Sequence, residues 1–197
     1  MNKANKITMI RVVMSVIIII LMLFPFDQMG IDFPTFLIGG RILVDLKYLV
    51  IGGLFIIASF TDFLDGYVAR KYNMVTDFGK MIDAISDKLL TNSVLIILGC
   101  NGKINAAIVV IIIARDIVVD SIKMVIGNKG AAVAAIPIAK VKTATLMVGI
   151  ILTLFYNLPF ELISLRISDF LLALAAILSV ISGAKYYIMA KPYLKDR

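Results

Sequence analysis

The chain has 197 residues, of which 61% are hydrophobic and 17% charged, and its mean hydropathy is +1.01. This composition excludes an ordinary soluble domain and is typical of an integral membrane protein. The net charge of +7 is scattered between apolar runs, so we expect anionic lipid, nucleotide or phosphate as partners and no nucleic acid.

Apolar runs predict six membrane-spanning helices in chain order. Each is close to the roughly 20 residues that a span needs, and such lengths favour helices over strands. The predicted spans are residues 9–26, 46–67, 81–99, 104–126, 143–160 and 168–189. The sequence therefore predicts an all-α integral membrane protein with six transmembrane helices and a single domain, residues 1–197.

The basic residues predict the orientation of these spans. With the N-terminus inside, one face keeps only four of the 20 lysines and arginines, namely Arg41, Lys47, Lys103 and Arg166. Because cytoplasmic segments carry the excess of positive charge, both termini are expected in the cytoplasm. The connection 27–45 then faces outward, and Gly127–Lys142 is predicted to be a cytoplasmic loop of small residues.

Four aspartates lie at fixed spacings at the predicted cytoplasmic ends of the second and third spans: Asp62, Asp65, Asp83 and Asp87. Within each pair, a separation of three or four residues places both carboxylates on one helix face. The two helices are consecutive and antiparallel, so we expect a cage of four carboxylates. Their mutual repulsion requires cations, and two divalent ions would resolve it.

The chain has no histidine and a single cysteine, Cys100, so a metal site must use oxygen ligands. Oxygen ligands favour magnesium, manganese or calcium over zinc. Close to the aspartates, Gly66 and Gly79 allow a ligand to approach the backbone, and Arg70 supplies a fork suited to phosphate.

This segment resembles the signature of the CDP-alcohol phosphotransferase family at eight positions: Asp62, Asp65, Gly66, Ala69, Arg70, Gly79, Asp83 and Asp87. The resemblance implies a homodimer of six-helix membrane proteins with a cytoplasm-facing site for two divalent ions, Mg²⁺ or Mn²⁺. It also implies that Asp62 and Asp83 bridge the ions, that Asp65 completes one site, and that Asp87 binds the second ion and acts as base.

The same resemblance implies contacts to the CDP moiety of a CDP-diacylglycerol donor. Within the signature region they fall on Gly66, Ala69, Arg70, Thr76 and Gly79. The family's N-terminal nucleotide-contacting stretch is similar to Asn5-Lys6-Ile7-Thr8 followed by Arg11, with Ala4 where the family usually has proline. Asn5 and Thr8 are therefore further expected donor-binding residues.

For the acceptor, the chain resembles the phosphatidylglycerophosphate synthases, which use glycerol 3-phosphate. The residues that carry this likeness are Arg115-Asp116, where the usual pair is Arg-Glu, and Lys140-Val141-Lys142-Thr143. Arg115, Lys140 and Lys142 are candidates for binding the acceptor phosphate. They have alternative interpretations: Arg115 as an ion-pair partner of Asp116 or Asp120, and the lysines as membrane-topology anchors.

The resulting hypothesis is a multi-pass cell-membrane enzyme that transfers a phosphatidyl group from CDP-diacylglycerol to glycerol 3-phosphate, giving phosphatidylglycerophosphate and CMP. Two alternatives remain open at this stage. One is a member of the same family with serine, inositol phosphate or phosphatidylglycerol as acceptor. The other is a divalent-cation transporter whose four aspartates form a translocation site.

Overall fold

The computed structural model describes residues 3–71, 77–128, 130 and 136–194, and within these it places six α-helices. Side chains are not described for residues 3–7, 63–71, 77, 78, 80 and 194. In chain order the elements are α1 Lys3–Leu23, β1 Thr35–Ile38, β2 Ile42–Asp45, α2 Leu46–Lys71, α3 Asp77–Cys100, α4 Ala106–Asn128, α5 Pro137–Leu154 and α6 Ile167–Leu194. Short 3₁₀ turns lie at Phe26–Met29 and Phe160–Ile163.

The mainly helical fold agrees with the prediction, and each predicted span corresponds to one helix. The fifth prediction is wrong at both ends. Its helix begins at Pro137, where proline's fixed φ and missing N–H suit the first turn, so the predicted loop Gly127–Lys142 ends before that residue. The helix stops at Leu154 because Tyr156 and Asn157 adopt positive φ values of 56° and 55°.

The connection between α1 and α2 contains a hairpin that the apolar pattern did not predict. β1 and β2 pair antiparallel from Thr35 with Asp45 to Ile38 with Ile42. The turn uses Gly39 and Gly40 with φ values of 61° and 67°, a conformation that glycine adopts without steric cost. The hairpin lies at the opposite end of α2 from the aspartates.

The helices pack in two groups that share a core. α1 packs against α2 and α3, whereas α4 and α5 pack against α6, and contacts of α2 with α5 and of α3 with α4 join the groups. Fully buried apolar side chains from all parts of the bundle meet between them, including Ile18, Phe55, Leu98, Ile112 and Ile150. This arrangement brings the cytoplasmic ends predicted for α2, α3, α4 and α5 towards one region.

Two described helices are long and apolar enough to cross a membrane, Pro137–Leu154 and Ile167–Tyr193. The apolar stretch Thr8–Leu23 of α1 is shorter. Large apolar side chains also face outward from the bundle, for example Ile188 with 67% and Val110 with 64% of its surface exposed. Outward apolar surface of this kind suits contact with lipid.

Adjacent glycines in α2 provide a test of the packing. A Cβ at position 52 would lie 2.5 Å from the ring of Phe155, whereas a Cβ at position 53 meets nothing within 4 Å. We expect Gly52→Ala to destabilise the protein by about 1–3 kcal/mol through overpacking. Gly53→Ala is the matched control, and we expect it to be neutral or stabilising by up to about 1 kcal/mol.

The measurement is thermal unfolding of the detergent-solubilised protein, followed by the helical circular dichroism signal. Equal midpoints for the two alanine variants would contradict the described contact between α2 and the end of α5.

Candidate active site

Arg11 joins three helices at the aspartates. Its side chain is fully buried, and its Nε donates to Ser86 Oγ at 2.8 Å. Its two terminal nitrogens donate to Asp62 Oδ1 on α2 and Asp83 Oδ1 on α3. Asp62 and Asp83 are the two carboxylates that the family resemblance assigns to bridging metal ions, and here one cation contacts both.

From the sequence, Arg11 was expected only to follow the N-terminal nucleotide-contacting stretch, and no contact with the aspartates was predicted. The position of Arg11 could have indicated such a contact, because a cation within an apolar helix needs a carboxylate partner. The sequence does not say which carboxylate, since the contacts span 51 and 72 residues.

The structure describes the other predicted metal-binding and CDP-binding residues in part: for some the side chain, for others only the helix on which they lie. Asp65, Gly66, Ala69 and Arg70 lie on α2, and Asn5 lies on α1, but their side chains are outside the described part of the chain. Thr76 lies outside the described residues altogether. Thr8 is buried on α1, one turn before Arg11, and Gly79 is half-buried in the first turn of α3.

Among the side chains that the structure describes, no group of three carboxylates converges as a metal site. Asp65, the predicted fourth ligand, is not among them, so the cage of four stays a prediction. Two observations nevertheless fit divalent ions. The donors are hard oxygens, and Asp62 and Asp83, on facing helices, both contact one cationic group, the guanidinium of Arg11.

A cavity of about 540 Å³ opens beside the aspartates. Asp62 and Asp87 line it together with all three candidate acceptor residues, Arg115, Lys140 and Lys142. Asp87 lines this cavity, and its backbone carbonyl accepts a hydrogen bond from Thr91 Oγ1 at 2.5 Å. The structure thus brings the predicted base and the predicted phosphate-binding groups to one space.

The basic groups of the cavity are not equivalent. Lys142 is buried and donates to both oxygens of Asp116, at 2.9 and 3.1 Å. Arg115 donates to Asp116 Oδ1 at 2.9 Å and to Ser182 Oγ at 2.7 Å. Lys140 is exposed at the rim. The ion pair of Arg115 with Asp116, one of the two interpretations of Arg115, is therefore present.

Two further cations line the same cavity. Lys88 of α3 forms an ion pair with Asp120 of α4, whereas the described ion pair of Arg115 is with Asp116. Lys123 lies 5.2 Å above the ring centroid of Tyr186. The cavity is consequently lined by five cations from α3, α4 and α5, here called the basic cluster, and by four carboxylates, among them Asp62 and Asp87.

The chain is similar to known proteins over most of its length. The sequence model of the CDP-alcohol phosphatidyltransferase family matches residues 1–181. The chain is 39% identical over 186 residues to a CDP-diacylglycerol--glycerol-3-phosphate 3-phosphatidyltransferase of Bacillus subtilis, covering 94% of this chain and 93% of that protein. A protein of the same name from Rickettsia bellii is 36% identical over 141 residues, covering 71% of this chain and 78% of the relative.

A Mycoplasma genitalium protein of the same name is 36% identical over 153 residues, covering 77% of this chain and 64% of the relative. The family generally uses divalent metal ions, in keeping with the carboxylates described above. By the family match and by these relatives, the chain belongs to the CDP-alcohol phosphatidyltransferase family.

Proposed function

We propose that this protein transfers a phosphatidyl group from CDP-diacylglycerol to glycerol 3-phosphate, releasing CMP and forming phosphatidylglycerophosphate. The observation that supports the proposal is that one cavity is lined both by Asp62 and Asp87 and by Arg115, Lys140 and Lys142. An acceptor that bears a phosphate requires basic groups of this kind next to the reacting groups. The names of the relatives specify the same reaction.

On the donor side, the diphosphate of CDP-diacylglycerol lies at the aspartates. Asp62, Asp65, Asp83 and Asp87 would hold two divalent ions, which when bound neutralise the phosphates and polarise the phosphorus under attack. Gly66, Ala69, Arg70, Thr76 and Gly79 bind the CDP moiety together with Asn5 and Thr8 from α1. Of these groups, Thr8 is buried at the same end of α1 as Arg11, which supports the placement of the nucleotide there.

On the acceptor side, Arg115, Lys140 and Lys142 bind the phosphate of glycerol 3-phosphate and direct its free hydroxyl towards Asp87. The Asp87 carboxylate takes the hydroxyl proton. The hydroxyl oxygen attacks the phosphorus next to diacylglycerol, and the bond between that phosphorus and the bridging oxygen breaks. CMP leaves with the bridging oxygen and both electrons of that bond. Positioning and charge neutralisation carry most of the catalysis.

The arrangement in the membrane forms part of the proposal. Six helices cross the membrane, both termini face the cytoplasm, and two copies form a homodimer. The excess of lysine and arginine on one side and the outward apolar surface of the helices support the crossing and the orientation, whereas the homodimer rests on the family resemblance alone. CDP-diacylglycerol then enters from the lipid, and glycerol 3-phosphate enters the cavity from the cytoplasm.

The test is an assay of the purified protein with CDP-diacylglycerol, Mg²⁺ or Mn²⁺ and a panel of acceptors: glycerol 3-phosphate, serine, inositol phosphate and phosphatidylglycerol. We expect CMP and phosphatidylglycerophosphate with glycerol 3-phosphate alone. Turnover with another acceptor would reassign the substrate within the family. Metal flux into liposomes without release of CMP from any acceptor would overturn the enzymatic proposal.

A further inference from the structure

Asp116 lines the cavity and contacts two cations of the basic cluster, Arg115 and Lys142. Its Oδ1 accepts from Arg115 Nη1 and from Lys142 Nζ, both at 2.9 Å, and its Oδ2 accepts from the same Lys142 ammonium at 3.1 Å. The three side chains are 15%, 12% and 5% exposed for Asp116, Arg115 and Lys142, respectively. Arg115 and Asp116 are neighbours on α4, whereas Lys142 comes from α5, so one carboxylate joins two helices.

We propose that Asp116 is a positioning residue, which holds Lys142 and Arg115 at the cavity in the orientation that the acceptor phosphate requires. This inference rests on the proposed function, because it concerns recognition of glycerol 3-phosphate. Asp116 does not contact the acceptor phosphate, since two anions repel each other, and it acts on the phosphate through the two cations.

Both cations retain donors for a ligand while they contact Asp116. An ammonium has three N–H groups, and the carboxylate of Asp116 faces only one side of Lys142. A guanidinium has five, of which Arg115 directs one to Asp116 and one to Ser182. Within the described part of the chain, the buried Nε of Arg115 has no hydrogen-bond partner. The contacts with Asp116 therefore orient Lys142 and Arg115 while leaving some of their N–H groups without a partner in the described part of the chain.

Helix α6 fixes Arg115 from the other side. Ser182 Oγ accepts from Nη2 at 2.7 Å, and the next residue, Gly183, allows the aliphatic part of Arg115 to lie against the helix. A Cβ at position 183 would be 3.1 Å from Arg115 Cγ, which is tighter than ordinary van der Waals contact. The ring of Tyr186 lies 5.6 Å from the guanidinium carbon. The guanidinium is thus held between Asp116 and α6.

The charge of the cluster suits a phosphate better than a neutral acceptor. Two cations and one carboxylate leave one net positive charge in a buried place, and Lys140 adds another at the rim. Without Asp116, two like charges would remain close together in a region of low dielectric, which costs free energy and drives the side chains apart. Loss of orientation then outweighs the removal of one negative charge from the neighbourhood of the phosphate.

The experiment compares Asp116→Asn, Asp116→Glu and the control Asp169→Asn, which changes an exposed aspartate at the start of α6. We expect Asp116→Asn to raise KM for glycerol 3-phosphate by about ten-fold or more, with KM for CDP-diacylglycerol within about two-fold of the parent. Asp116→Glu keeps the carboxylate and should recover most of the acceptor affinity. Asp169→Asn should match the parent in both KM values.

A second variant perturbs the same cation without altering a charge. Gly183→Ala pushes against Arg115 Cγ, so we expect it to raise KM for glycerol 3-phosphate in the same selective manner, by about three-fold or more. This variant tests whether the orientation of Arg115 sets the acceptor affinity, so an unchanged KM in Gly183→Ala overturns the inference if Asp116→Asn does not fold.

The outcomes distinguish failure of the inference about Asp116 from failure of the proposed function. If the parent uses glycerol 3-phosphate but Asp116→Asn keeps its KM, Asp116 is only structural and the inference is wrong, whatever Gly183→Ala shows. A lower KM in Asp116→Asn would show that the carboxylate competes with the phosphate, which also overturns it. If the parent releases no CMP with glycerol 3-phosphate, the proposed function fails together with the inference.

Discussion

Replacing Asp87 with asparagine is expected to lower the rate of CMP release by about 10²–10⁴-fold, the usual contribution of a general base. Asparagine keeps the shape of the side chain but cannot accept the hydroxyl proton, and it removes one of the four charges proposed to hold metal. The hydrogen bond that Thr91 donates to residue 87 ends on the backbone carbonyl, so the substitution leaves it intact.

The measurement is CMP formation at saturating CDP-diacylglycerol and glycerol 3-phosphate. KM for glycerol 3-phosphate should change little in Asp87→Asn, because the contacts among Arg115, Asp116 and Lys142 do not involve Asp87. Asp169→Asn makes the same chemical change at an exposed site and serves as control. A rate for Asp87→Asn within about two-fold of the control would exclude Asp87 as the base.

The sequence predicted the helices well because their signal is local. Each apolar run has the length of a span, and each corresponds to one helix of the structure. The errors arise where backbone conformation departs from hydropathy. Residues 155–160 are apolar enough to extend α5, but Tyr156 and Asn157 adopt positive φ, and Pro137 begins the helix within a segment whose small residues indicated a loop.

For the site, fixed spacing and the family resemblance selected candidate residues but did not say how they pair. The structure places five of these candidates, Asp62, Asp87, Arg115, Lys140 and Lys142, at one cavity. The partners of these groups were not predictable, because Arg11 reaches Asp62 and Asp83 across 51 and 72 residues, and Asp116 reaches Lys142 across 26. Such contacts depend on how helices pack, which spacing within a single helix does not encode.

The second large effect is expected at Arg11. In metal-free buffer, Arg11→Met should lower the stability of the protein by about 2 kcal/mol, since it leaves Asp62 and Asp83 facing each other without their shared cation. This figure is below the cost of breaking a fully buried pair, because the Asp62 and Asp83 side chains are 33% and 55% exposed. Methionine approximately preserves the length and volume of the buried stem.

Addition of Mg²⁺ or Mn²⁺ should then raise the unfolding midpoint of Arg11→Met more than that of the parent. A divalent ion between Asp62 and Asp83 would supply the charge that the guanidinium supplied, and in the parent it must share these carboxylates with Arg11.

Thermal unfolding by circular dichroism in detergent measures both effects, with Arg166→Met, at an exposed arginine in the connection before α6, as control. Equal midpoints for Arg11→Met and Arg166→Met without metal, or equal metal-induced shifts, would show that Arg11 does not neutralise the aspartates. A selective shift would instead locate divalent-ion binding at Asp62 and Asp83 without relying on catalytic activity.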